Sequence, residues 1–159
     1  MNRTRPWHLV AAFAATALAI AGCTAGTSPS EAASGGGGGK TVAVTLQEWA
    51  VVLNADSAAA GDVTFEVTND GPEDVHEFVV IKTDLDAADL PTDADGAVEE
   101  TGEGMEVVDE IEDIPVGETQ ELTVTLDAGN YVLICNIYSA DEDEAHYRMG
   151  MRTPFTVTE

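Results

Sequence analysis

Between Lys40 and Glu159, apolar residues recur with period two in short runs separated by turn residues. Thr41–Leu46 alternates, and the pattern resumes over Trp49–Leu53 after a break. Asp62–Thr68 puts Val63, Phe65 and Val67 on one face and polar residues on the other, and Asn69-Asp70-Gly71-Pro72 reads as a turn. His76–Lys82 is a further strand, apolar on both faces, and Glu121–Leu126 alternates again. Asp127–Asn130 then turns the chain into Tyr131–Cys135, a nearly continuous apolar run of the kind expected for a central strand buried on both sides. Thr153–Thr158 forms the last strand, with Pro154 near its start, where a missing donor costs least. Short strands with this punctuation predict an all-β, Greek-key β-sandwich. No internal repeat and no long amphipathic helix interrupts the pattern. Asp84–Asp113 is the exception: it is acidic and broken by Pro91, Gly96, Gly102 and Gly104. It reads either as a mobile loop or as one holding a short element over Ala87–Leu90 or Met105–Ile111.

The first 39 residues follow a different rule. Arg3 and Arg5 precede an Ala-rich apolar run from Leu9 to Ala21, and small residues lead into Ile20-Ala21-Gly22-Cys23. The run is short for a membrane span and has the order of an export signal, predicted over residues 1–22. Its ending resembles the lipobox of prokaryotic lipoproteins, which implies that Cys23 is lipidated and tethers the chain to the outer face of the cytoplasmic membrane. The alternative is a plain secretory signal with Cys23 left free. Residues 23–39 end in five glycines and read as a flexible linker. The folded domain is therefore expected over residues 40–159.

Charge narrows the partners. The full chain has 30 acidic residues against 6 Lys and Arg, a formal charge of −24. Removal of Arg3 and Arg5 with the signal takes it to −26. Such a surface repels nucleic acid and anionic lipid, so nucleic-acid binding is excluded and membrane contact is expected through the lipid anchor alone. Steering towards a basic partner and adaptation to a salty environment both fit the composition.

Chemistry concentrates in a few side chains. If Cys23 carries lipid, Cys135 is an unpaired thiol in an oxidising compartment, where a bare thiol is liable to oxidation and a bound metal would explain its retention. Beyond residue 23 the chain has one Cys and two His, namely Cys135, His76 and His146. A thiolate, two imidazoles and the thioether of Met151 make the donor set of a blue-copper electron-transfer centre. The spacing suits a sandwich: Cys135 ends one predicted strand, His146 and Met151 lie in the connection, and the final strand follows. Each residue also has a plain alternative. Cys135 can be a buried structural thiol, His76 a core or rim histidine, His146 a solvated loop residue and Met151 a core plug. Met149 and Met105 are the competing thioethers. Asp141–Glu144 places four acids in a row, which reads as a solvated face, a hard-cation site or a dock for a basic redox partner.

The segments Gly129–Ile137, His146-Tyr147-Arg148-Met149-Gly150-Met151 and Pro154–Val157 resemble the C-terminal copper loop of cupredoxins, most closely the sulfocyanin- and plastocyanin-like branch. That branch has a Tyr-x-x-x-Cys strand, a short turn and His-Tyr-x-x-Gly-Met. His76–Ile81 resembles its upstream ligand strand. The resemblance implies a cupredoxin-like fold and one copper ion cycling between Cu(I) and Cu(II). His76, Cys135 and His146 would be the equatorial ligands and Met151 the axial one. Two features depart from the pattern. Tyr138–Ala145 separates Ile137 from His146, and such an excursion either loops out into solvent or opens the site to water. Glu77 stands where many cupredoxins carry Asn, and an ionised Glu cannot donate the same hydrogen bond.

The reading is a monomeric electron carrier serving redox protein donors and acceptors, not an enzyme. Multicopper oxidases need further His clusters and a binuclear copper centre needs a second nearby Cys. With both His committed, no Ser-His-Asp arrangement remains. The competitors are a copper storage, delivery or sensing protein and a metal-free interaction domain.

Overall fold

The structure, a computed structural model, describes residues 40–159. The predicted signal segment 1–22, the Cys23 lipidation site and the linker 23–39 lie outside the described residues. Two sheets face each other. The first has the order β2-β1-β4-β7, from β1 (Lys40–Gln47), β2 (Ala50–Leu53), β4 (Gly61–Asn69) and β7 (Thr119–Leu126). The second runs β3-β11-β8-β5-β6, from β3 (Ser57–Ala59), β5 (His76–Thr83), β6 (Met105–Ile114), β8 (Gly129–Ile134) and β11 (Arg152–Thr158). Parallel pairing occurs between β1 and β4 and between β11 and β3; the other pairs in these sheets are antiparallel.

Alternation decides what goes inside. Val63, Phe65 and Val67 of β4 are fully buried, while Asp62 and Glu66 face outward. The Phe65 ring meets Phe78 of β5 at 5.2 Å and Phe155 of β11 at 5.5 Å between centroids, so one side chain joins the two sheets. Burying a phenylalanine removes on the order of 150–250 Å² from water, the dominant kind of favourable term here.

The strands β5 and β8 are buried on both faces, as their apolar runs predict. Phe78, Val80, Tyr131, Leu133 and Cys135 look into the space between the sheets. Val79, Ile81, Val132 and Ile134 look the other way, where Leu90, Val98 and Tyr147 cover them. Leu90 and Val98 of that cover come from the acidic Asp84–Asp113 segment, and Tyr147 comes from the stretch after His146. Met105–Ile111 belongs to the longer edge strand β6, whereas Ala87–Ala88 is a turn and Asp89–Leu90 is irregular, because the segment is held from outside. The Tyr147 hydroxyl donates to Ala87 O at 2.8 Å and accepts from Leu90 N–H at 3.0 Å, and the Arg148 guanidinium donates to Thr92 Oγ1 at 3.0 Å. Tyr147→Phe is expected to strand the buried Leu90 N–H and lower stability by about 1–3 kcal/mol, as read by urea unfolding. An unchanged midpoint would show that the hydroxyl does not hold the segment.

Candidate metal centre

Three strand ends converge at one end of the sandwich. β8 pairs with β5 through Val79↔Ile134 and with β11 through Arg152↔Ile134. The residue after β8, the first residue of β5 and the residues entering β11 therefore meet. These are Cys135, His76 and the His146–Met151 segment. A register shift between His76 and Phe78 sits at this end of β5, the kind of irregularity that re-aims a side chain beside a site.

His76 and Cys135 are fully buried and His146 is 1% exposed. Cys135 Sγ lies 3.4 Å from His146 Nδ1 and 3.8 Å from His76 Nδ1, and the two Nδ1 atoms are 3.2 Å apart. An atom in the plane of that triangle stands about 2 Å from all three, the length of a metal–imidazole bond and slightly under the ~2.3 Å of a metal–thiolate bond. The triangle fits one metal ion. The predicted set His76, Cys135 and His146 is thus brought together by the fold.

No family model matches the sequence, and no curated protein does. Solved structures do match in fold. Reduced auracyanin from the photosynthetic bacterium Roseiflexus castenholzii is 20% identical, with a TM-score of 0.53 over 77% of this chain and 100% of that one. Auracyanin A, described as a "blue" copper protein of the green thermophilic photosynthetic bacterium Chloroflexus aurantiacus, is 19% identical, with a TM-score of 0.51 over 76% and 100%. Auracyanin B is 23% identical, with a TM-score of 0.50 over 76% and 89%. The chain has the cupredoxin fold.

Within this cupredoxin fold the excursion before His146 loops outward. Tyr138–Ser139 (β9) and Glu144–Ala145 (β10) form a two-stranded ribbon, and His146 N–H donates to Ile137 O at 2.9 Å. The base of the excursion is closed, so the residues flanking it are as near as a tight turn would bring them. His146 then opens the single helical turn α1 (His146–Met149). Gly150 follows with φ 131°, and a Cβ there would stand 3.0 Å from Trp49 O, so the glycine of the loop motif is sterically required. Trp49 also lays its ring edge-on to His146, with centroids 4.9 Å apart.

The three candidate thioethers separate by burial. Met149 is 44% exposed, and Met105 packs on the outer cluster. Met151 is fully buried in the same cluster as Cys135. Its backbone O accepts from Cys135 N–H and its N–H donates to His146 O, both at 3.0 Å.

Glu77 supports the site by means other than the missing amide donor. Its backbone N–H donates to Cys135 Sγ at 3.4 Å, and its carboxylate Oε1 accepts from Asn136 N–H at 2.8 Å. The Asn136 side chain in turn bonds both the N–H and the O of Val98, tying the outer segment to the residue after Cys135. Asn69 is fully buried and secures the approach to His76. Its Nδ2 donates to Asp74 O at 2.8 Å and to Ile114 O at 2.9 Å, and its Oδ1 accepts from Gly71 N–H.

Electrostatics set the protonation states. Burial lowers both His76 and His146, with the neighbouring His146 adding to the effect at His76, so both imidazoles are held neutral as metal ligation requires. Burial pushes the Cys135 thiol up to about 12, so a metal must supply the attraction that releases its proton. Burial also pushes Glu77 up to about 7 against the pull of Asn136 N–H, with Glu110, Glu100 and Glu112 adding repulsion. The folded chain keeps this proton to about pH 7, while the unfolded chain loses it near 4.5. Between those values the folded state binds more protons, so stability falls as pH rises, by on the order of 3 kcal/mol. In urea unfolding of the metal-free protein at pH 5 and pH 8, Glu77→Gln is expected to lose less stability than the wild type. Equal losses would remove Glu77 as the source.

Proposed function

We propose that this chain is an electron-transfer protein that carries single electrons through one copper ion held by His76, Cys135 and His146, with Met151 as axial ligand. The buried triangle of two Nδ1 atoms and one Sγ carries the reading. Copper bound there would supply one-electron chemistry, Cu(I) to Cu(II). The chain contributes the rest. Strand ends hold the donors, Trp49 and the Ile137–His146 closure exclude water, and the neutral imidazoles are ready to bind. A closed site of this kind supports electron transfer over copper storage or delivery, which needs an accessible ion. The lipobox-like ending at Cys23 supports attachment to the outer face of the cytoplasmic membrane, with the glycine linker letting the domain reach its partners.

Adding Cu(II) to the protein and recording absorption and EPR spectra tests the reading. An intense thiolate-to-copper charge-transfer band with reversible redox cycling is the expected result. Binding without the band would favour copper delivery, and no stoichiometric binding would leave an interaction domain.

His146 lines a surface depression together with Asp74, Val75, Asp113, Ile137 and Ser139. Acids at this depression and along Asp141–Glu144 favour cationic redox partners. Neutralising Asp141, Glu142, Asp143 and Glu144 together is expected to slow electron exchange with a cationic partner at low salt. A rate with unchanged salt dependence would remove the electrostatic dock.

A further inference from the structure

Two buried polar atoms beside the centre have no hydrogen-bond partner: Nε2 of His76 and Oε2 of Glu48. The two side chains that carry them approach each other. Glu48 lies at the corner between β1 and β2, its side chain 11% exposed, with Oε1 3.7 Å from His76 Nε2. The carboxylate is already anchored on its other side, because Oε1 accepts from Asp74 N–H at 2.8 Å and from Glu73 N–H at 3.1 Å. Those two residues lead directly into His76. The same corner continues into Trp49, whose ring packs on His146. One turn of chain therefore approaches both imidazoles.

We infer that Glu48 is a positioning residue that accepts the Nε2–H proton of His76 and so fixes its tautomer with Nδ1 free to face Cys135 and His146. A neutral imidazole has one N–H and one lone pair, and the group bonded to one nitrogen decides which atom is left to bind a metal. A buried imidazole N–H without an acceptor is costly, as is a buried carboxylate oxygen without a donor. Closing the gap between Oε1 and Nε2 from 3.7 Å to an ordinary hydrogen bond needs a movement of less than ~1 Å and gives the buried Nε2–H an acceptor. Among the described residues no other buried side-chain acceptor lacks a partner. A full negative charge held there also stabilises the more positive oxidation state of an ion on Nδ1. This second consequence rests on the copper reading; the tautomer does not.

The test uses metal-free and copper-loaded protein in parallel, with Glu48→Gln and Glu48→Leu variants. Nitrogen-15 NMR of the metal-free wild type is expected to show His76 protonated at Nε2 and bare at Nδ1. Glu48→Gln keeps an acceptor oxygen and should keep that tautomer, whereas Glu48→Leu should lose it in favour of Nδ1–H or a mixture. In the copper-loaded protein, Glu48→Gln should raise the reduction potential with little change in the charge-transfer band, because the charge leaves and the hydrogen bond stays. A wild-type His76 protonated at Nδ1, or a Glu48→Leu variant with the wild-type tautomer, overturns the inference. If Glu48→Leu fails to fold, Glu48→Gln decides alone, and an unshifted potential counts against the role. Failure to bind copper would refute the proposed function and still leave the tautomer measurable.

Discussion

Cys135→Ser is expected to abolish the thiolate-to-copper charge-transfer band completely. The band requires a sulfur-to-metal bond, and Cys135 Sγ is the only sulfur that the triangle with His76 and His146 contains. A serine oxygen is harder, far less readily deprotonated and cannot give the same transition. The two imidazoles remain, so weak Cu(II) binding with an ordinary EPR spectrum is the anticipated residue. Absorption and EPR titration against wild type measure both parts. Colour that survives the substitution would show that Cys135 is not the ligand. The fold itself should tolerate the change. Cys135 is fully buried and its thiol stays protonated without metal, so a small neutral side chain replaces a small neutral side chain.

Phe65→Ala carries the largest expected cost in stability, about 3–5 kcal/mol. Phe65 is fully buried and touches a ring from each of two strands in the opposite sheet. Truncation loses the transfer free energy of the ring and leaves a void that β5 and β11 cannot fill without moving. Chemical unfolding of the metal-free protein checks the magnitude. Those two strands also deliver His76 and the segment after Met151, so a second effect follows. The variant should bind copper more weakly than wild type under conditions where both are folded. A cost below about 1 kcal/mol would mean that the sheets close over the gap.

What the sequence made legible, and what it hid, follows from how far each contact reaches along the chain. Val63, Phe65 and Val67 announce β4 because alternation is local. Tyr131–Ile134 announces a central strand because both faces must be apolar. Nothing local says what covers the outer face. Leu90 and Val98 are isolated apolar residues in an acidic stretch, and only the distant Tyr147 gives them a reason to dock. The three-residue strand β3 is too short to carry a period, and it exists through its pairing with β11. At the site, residue type alone singled out the side chains that the fold brings together, since His and Cys are scarce. Their supports were invisible for the opposite reason. Glu48 is one acid among 30, Asn69 looks like any turn residue, and Asn136 shows its use only once Val98 lies beside it. Glu77 was legible as a departure from the family pattern, but not as an acceptor for Asn136 N–H. A carboxylate and an amide can brace the same loop with opposite hydrogen-bond polarity.

The closed ribbon before His146 has a consequence for change at this position. Its base, where Ile137 O meets His146 N–H, sets where His146 enters the site, and its far end at Asp141–Asp143 is exposed. Length beyond that base can vary without moving the closure itself. The ribbon is therefore a natural place to graft a recognition sequence or a reporter group, within reach of the centre and without rebuilding it.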